Sequence, residues 1–334
     1  MGRESKWDFY RGMLIWGVVT GHMITALKCG LDNTIWIHSF LRTYDMPLFA
    51  FISGYFLKKT SDVHSFIYGF MRRIETILYP AVLWNLLINL LTQNMSLYLW
   101  YLWSIFFCNI IVFSIAKITN KTSIRTFLFV IAIVITHCGI GDRINLGFLL
   151  FPCVIGFYYE SFERKYFNSK IIKNIVLIGA WVVFNCMLLF WKPEYSVWSV
   201  GTNALRDYHT FLLIVYRGLM GITGSIAIMF VYSILLGILK SGKIVETICS
   251  WGKATLEIYS LQTIFVEIIG GKTICYLVKR IGTNPFIWNE SLLGFAIAPL
   301  LSLFALQFLF KVQSILKKLP VIGEYAFRLD IKHE

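Results

Sequence analysis

Three ionisable side chains stand in or beside the first apolar run, W-D-F-Y-R-G-M-L-I-W-G-V-V-T-G-H over residues 7–22: Asp8, Arg11 and His22. A neutral imidazole can take a proton from a hydroxyl at neutral pH, and a guanidinium can hold a phosphate through two parallel hydrogen bonds. Arg11 and His22 are eleven residues apart. At 100° per residue that is about three turns plus roughly 20°, so a helix carries both on one face, roughly 16 Å apart along its axis. In a bilayer core of about 30 Å, Arg11 then lies near one surface and His22 near the middle. An ionisable group at that depth is expensive and faces a cavity or a partner. The plainer readings are a packing histidine bonded to a neighbouring helix and a topology-setting arginine at the headgroups. Asp8, three residues before Arg11, is placed to orient it as an i,i+3 pair.

Arg73, at the expected cytoplasmic entry of the third span, has the same two readings, phosphate contact or lipid-facing charge. The stretch D-M-P-L-F-A-F-I-S-G-Y-F covers 45–56. Pro47 reads as lying near a helix entry, where a first-turn amide is free anyway. Ser53-Gly54 is a small pair that allows close helix approach and turns backbone donors towards a cavity. Ser53 has no base nearby in sequence and is not read as a nucleophile. Other polar groups within apolar runs are Asn85, Asn89, Asn109, His137, Arg217, Glu257, Gln262, Glu267 and Gln307. Interhelical hydrogen bonding accounts for most of them. Arg217 and Glu257 resist that reading: an isolated charge should find a partner, and the two can serve each other or line the site. Lys253 and Glu257 also have i,i+4 spacing.

The elements that must position these groups are membrane helices. Of 334 residues 57% are hydrophobic and 15% charged, with a mean hydropathy of +0.67, which excludes an ordinary soluble domain. A net charge of +13 is better explained by cytoplasmic loops facing anionic lipid than by nucleic acid. The seven cysteines form no CxxC pair and no metal-spaced cluster; they read as small buried hydrophobes, and no metal site is expected. The N-terminus resembles a signal peptide, but Lys28 directly before Cys29 argues against lipoprotein cleavage, so the first helix is expected to be retained.

About ten spans are expected, near 12–29, 44–58, 74–94, 97–116, 124–141, 145–160, 172–191, 212–239, 254–271 and 291–312, the second and sixth short, tilted or partly re-entrant. No internal repeat or linker interrupts them, and 1–334 reads as one membrane-embedded domain: an all-α, polytopic helical bundle. With the N-terminus in the cytoplasm, 22 of the 31 Lys and Arg fall on cytoplasmic segments, so both termini are expected there. The outer loops, about 30–43, 192–211 and 272–290, are aromatic and polar rather than basic, which suits an interfacial belt and also sugar binding.

The order D-x-x-R-G, His eleven residues after the Arg, then M-P-L-F-x-F-x-S-G-Y resembles the acyltransferase 3 family of integral-membrane acyltransferases. L-W-Y-L-W at 99–103, F-P through G-F-Y at 151–158 and T-L-E-I-Y at 255–259 are similar to further family segments, in the same order along nearly the whole chain. Three positions depart from the pattern: Asp45 and Gln262 stand where the family often has His, and Thr76 where it often has a second basic residue after Arg73. The resemblance implies acyl transfer, usually acetyl, from cytoplasmic acetyl-CoA to a hydroxyl of a polysaccharide, O-antigen, capsule or exopolysaccharide unit, free or lipid-linked. It implies a bacterial inner-membrane protein with lipid, glycan and polysaccharide-assembly proteins as partners, and no permanently bound cofactor. His22 and Arg11 become the expected catalytic residues, with Arg11 and Arg73 on the phosphates of coenzyme A. Asp8, Asp45, Ser53, Trp103, Glu257 and Tyr259 become expected substrate or support residues, Ser53 as part of an oxyanion site. Two rival readings share the architecture: a flippase or transporter for a lipid-linked sugar, which needs neither CoA nor Arg11 and His22 on one face, and an inactive family member that scaffolds an assembly complex.

Overall fold

A computed structural model describes residues 5–28, 36–63, 65–166, 170–192, 195, 203, 205–239, 242–281 and 292–319, and its regular elements are all helical. They are α1 (Ser5–Lys28), α2 (Trp36–Val63), α3 (Phe66–Thr92), α4 (Trp100–Ile118), α5 (Thr122–Thr136), α6 (Leu146–Tyr166), α7 (Lys170–Leu188), α8 (Tyr208–Leu239), α9 (Lys243–Lys253), α10 (255–281) and α11 (Leu293–Leu316). Four of them, α3, α4, α8 and α11, are long and apolar enough to cross a membrane. Helices α1, α2 and α6 have the length, at 24, 28 and 21 residues, but carry more charge. The second and sixth expected spans lie within the longer helices α2 and α6, which are not among those four. The segment W-K-P-E-Y-S-V-W-S and most of the expected outer loops lie outside the described residues, Trp191, Lys192 and Tyr195 excepted.

Helix α2 runs unbroken through Pro47, which sits well inside it rather than at an entry. Just before the proline, the Asp45 carboxylate accepts the Met46 amide at 2.6 Å. The proline ring also fits against Gly221 of α8, where an added Cβ would come within 2.9 Å of it. Asp207, just before α8, accepts both the amide and the hydroxyl of Thr210 at 2.8 Å, which caps the helix and holds the carboxyl below its ordinary pKa. At the other end of α3, Asn85 donates to the Ser96 carbonyl and Asn89 accepts the Ser96 amide, so these two asparagines pin the following loop.

The chain forms two compact units, Met1–Leu41 with Val82–Tyr98 and Tyr232–Glu334, and Arg42–Ala81 with Leu99–Val231. In the first, α1 and α9 cross backbone to backbone: a Cβ on Gly12 would strike the Ile248 carbonyl, and one on Gly252 would strike the Asp8 carbonyl. In the second, α2 and α6 cross in the same way at Gly54 against Cys153 and Gly156 against Phe51. Gly54→Ala is expected to destabilise the detergent-solubilised protein by about 1–3 kcal/mol, because backbone must give way. Gly179→Ala, where nothing lies within 4 Å of the added Cβ, serves as the control and is expected to leave the melting midpoint unchanged or raise it.

Candidate active site

Helix α1 is apolar where it meets its own unit, with Leu14, Ile15, Val18 and Val19 buried. Its rotation is fixed by polar bonds to α11. Trp16 Nε1 donates to Ser302 Oγ at 2.9 Å and to the Pro299 carbonyl at 3.2 Å, and the Thr20 and Ser302 hydroxyls meet at 2.8 Å. Gly21 leaves room for the His38 ring, whose Cδ2 would lie 3.3 Å from a Cβ there. The next residue, His22, is thereby turned towards α10.

Helix α10 changes pitch along its length: α-helical over Thr255–Gln262, π-helical over Thr263–Gly270 and α-helical again over Gly271–Ile281. On an α-helix, residues 262 and 267 would sit about 140° apart. The i→i+5 bonding of a π-helix brings such a pair to one side. Gln262 Nε2 accordingly donates to Glu267 Oε1 at 3.2 Å and to Thr263 Oγ1 at 3.0 Å. The same Glu267 oxygen lies 2.8 Å from His22 Nδ1. Gln262 is fully buried, whereas the His22 and Glu267 side chains are 16% and 32% exposed. A carboxylate on Nδ1 fixes the tautomer that carries its proton there, leaves the Nε2 lone pair as the acceptor, and stabilises the imidazolium that forms. An apolar cleft of about 140 Å³ is lined by residues next to His22 and Glu267 in the chain, Met23 and Val266, and by Phe265, Gly270 and Phe308 among others.

The remaining expected residues of the first unit lie along the same helices. Arg11 is half-buried on the unbroken α1, so its spacing from His22 stays roughly 16 Å by helix rise. Asp8 is buried against α9. Tyr259 is buried on α10. Glu257 pairs with Lys317 Nζ at 3.2 Å, and thus with neither suggested partner, Arg217 or Lys253. A break at Ala254 (φ −100°, ψ 20°) separates α9 from α10 and removes the i,i+4 relation with Lys253.

In the second unit, Arg73 is buried; its guanidinium donates to the Gly69 carbonyl and to Thr60 Oγ1, and lies 3.9 Å from the centre of the Phe113 ring. Ser53 donates to Asn109 Oδ1 at 3.0 Å. Asp45 is buried at the α2 proline described above. Trp103 Nε1 is buried and meets no acceptor among the described residues. Arg217 lies over Phe148, 4.5 Å from the ring centre.

Of the histidine cluster, Glu267 stands in the sequence only as a polar group within a span, and Gln262 as that and as a departure from the family pattern. A lone carboxylate in the run T-I-F-V-E-I-I-G-G is itself a signal, since such a group seeks a partner. The pitch change that joins it to Gln262 carries no such mark.

The acyltransferase-3 profile, described as an acyltransferase domain, matches residues 4–310. Two relatives are both named nodulation protein NolL. The one from Mesorhizobium japonicum is 26% identical over 132 residues, 33% of this chain and 35% of that protein. The one from Sinorhizobium fredii is 22% identical over 218 residues, 58% of each. The chain thus spans about a third and about three fifths of the relatives it matches. No solved structure matches.

Proposed function

Because this chain belongs to the acyltransferase-3 family, we propose that it moves an acetyl group from acetyl-CoA to a hydroxyl of a cell-surface polysaccharide or its lipid-linked precursor. The O-antigen, capsule and exopolysaccharide units are the acceptors this reading covers. The observation that carries it is the contact of 2.8 Å between His22 Nδ1 and Glu267 Oε1. In this reading His22 Nε2 takes the acceptor's hydroxyl proton as the oxygen attacks the thioester carbonyl. The tetrahedral intermediate collapses, the C–S bond breaks, and the proton passes from Nε2 to the departing thiolate. The products are an acetyl ester and free CoA, and the histidine returns to its starting state.

Arg11 serves as the phosphate contact, because an extended pantetheine arm is on the order of the roughly 16 Å that separates the two levels of α1. The apolar cleft beside Phe265 is where the acyl end and part of that arm would be sheltered from water. Arg73 has five N–H groups and spends at least two on Gly69 and Thr60, leaving others for an anion. Charge-assisted hydrogen bonds contribute about 1.5–3 kcal/mol, so Arg11→Ala is expected to raise the KM for acetyl-CoA about tenfold or more with a smaller change in kcat. Unchanged KM in both Arg11→Ala and Arg73→Ala would remove the phosphate assignment.

The rest of the proposal is topological. The chain crosses the bacterial inner membrane about ten times with both termini in the cytoplasm, and its two compact units act as one acyltransferase domain. The test is glycan NMR of acetyl esters on surface polysaccharide from wild type, a deletion strain, and the deletion complemented with wild-type or His22→Ala protein. Loss of one acetyl signal, restored by the wild type and not by the membrane-inserted variant, is the expected result. Unchanged acetylation with less polysaccharide at the surface would instead favour a transporter of lipid-linked sugar.

A further inference from the structure

Gln262 has no role in the chemistry above, yet it is bonded to the histidine pair. Its amide Nε2 donates one hydrogen to Glu267 Oε1 at 3.2 Å and the other to Thr263 Oγ1 at 3.0 Å. The Thr263 hydroxyl in turn donates to the Tyr259 carbonyl at 3.4 Å. An ionised carboxylate offers no hydrogen, so the amide nitrogen, not its oxygen, must face Glu267. That leaves Gln262 Oε1 buried, with no donor among the described residues. The residue is 0% exposed, and a buried carbonyl oxygen that meets no donor destabilises a fold. An apolar side chain of the same length would avoid that cost. The amide at 262 is therefore explained by what its nitrogen does at the pair and not by stability.

The pair needs such a tie. Glu267 is long, and its side chain is 32% exposed against 16% for His22. A terminal carboxylate turns broadly about its last bond, and holding a long side chain in one pose costs conformational entropy. Gln262 reaches the same oxygen that meets His22 Nδ1, and it does so from the interior, itself held by Thr263. The i→i+5 turn of Thr263–Gly270 makes that reach possible. All three residues belong to the first unit. We propose that Gln262 is a positioning residue: it holds Glu267 Oε1 against Nδ1 and so keeps the His22 ring in the tautomer whose Nε2 accepts a proton. The consequence for the rate rests on the acyl-transfer reading; the hold on the ring does not.

Two readouts on the full chain in lipid nanodiscs separate the hold from the chemistry. The first is nitrogen NMR of protein labelled at its histidine rings. The chain has six histidines, and the His22 lines are those missing from His22→Gln. Wild type is expected to show a protonated Nδ1 and an unprotonated Nε2, and Gln262→Met a mixture of both tautomers. The second is steady-state acetyl transfer from acetyl-CoA to oligosaccharide released from the host's own surface polysaccharide. Gln262→Met is expected to lower kcat about tenfold, as loss of an orienting partner does at other sites, with the KM for acetyl-CoA unchanged. Its melting midpoint should hold or rise. Gln262→His, which offers a ring N–H, should recover most of kcat. In a Glu267→Gln background, Gln262→Met should cost little more, because it acts through that carboxylate.

An unmixed tautomer in Gln262→Met, a wild-type kcat in that variant, or an equally large further loss in the Glu267→Gln background would each overturn the proposal. So would a lower melting midpoint with specific activity per folded molecule unchanged. If wild type transfers no acetyl group, the proposed function fails while the tautomer comparison still decides whether Gln262 holds the ring. If Gln262→Met does not fold, Gln262→Asn, which draws the amide back by one methylene, carries the same comparisons.

Discussion

Replacing His22 by alanine is expected to lower the rate of acyl transfer by about two to four orders of magnitude, the usual contribution of a positioned general base. That corresponds to roughly 2.7–5.5 kcal/mol of transition-state stabilisation. The size follows from the task. A sugar hydroxyl is a poor nucleophile until a base takes its proton, and the histidine on α1 is held by a carboxylate at 2.8 Å. The loss should fall on kcat, since Arg11 and the apolar cleft still bind the donor. The measurement is a single-turnover assay on purified protein with acetyl-CoA and an acceptor oligosaccharide. The ring is only 16% exposed in its side chain, so alanine also leaves a gap. His22→Gln fills much of that space without a base, and it is expected to be equally inactive while melting closer to wild type. An active glutamine variant would remove the base assignment.

Replacing Glu267 by glutamine is expected to reduce kcat on the order of 10²-fold, with the KM for acetyl-CoA nearly unchanged. The new amide keeps the shape and can still accept the Nδ1 proton, but it carries no charge to stabilise the imidazolium as the hydroxyl proton arrives. Glu267→Ala removes the acceptor as well and should lose more. Glu267→Asp, one methylene shorter, should recover only part of the activity because the bond at 2.8 Å is stretched. A merely structural carboxylate would give the opposite pattern: lower melting midpoints in all three variants and a specific activity per folded molecule that does not move.

Much of the fold can be read from hydropathy alone. The run expected at 212–239 is the helix Tyr208–Leu239, and that expected at 97–116 is Trp100–Ile118, because a long apolar run in lipid has no alternative to the helix. Helix α9 is invisible to the same reasoning: Lys243–Lys253 is short and amphipathic, and only the crossing at Gly12 and Gly252 shows what it does. Pro47 misleads because a proline normally marks an entry, whereas here the helix continues on both sides of it. The candidate site was half legible. The shared face of His22 and Arg11 follows from helix geometry, and the unbroken α1 keeps it. Glu267 and Gln262 do not, since a reading at 100° per residue places them on different sides of α10. The suggested partnership of Arg217 with Glu257 had the right premise, that each charge needs an answer, but Glu257 has Lys317 while the Arg217 guanidinium lies over the Phe148 ring.

The wide turns of α10 bear on how such a protein can be lost or remade. Each i→i+5 turn holds one residue more than an i→i+4 turn, so Thr263–Gly270 has the geometry of an α-helix that has absorbed an insertion. Deleting a single residue between Gln262 and Glu267, Phe265 for instance, would let the segment relax to ordinary pitch. Gln262 and Glu267 would then stand at i,i+4, about 40° apart, so the pair would stay on one side of the helix and the residues beyond it would keep roughly their facing. An added residue would do the reverse, because at i,i+6 on an α-helix the two lie about 120° apart. A one-codon loss at this place is then one the lineage can absorb, while a one-codon gain leaves every site residue encoded and the pair parted.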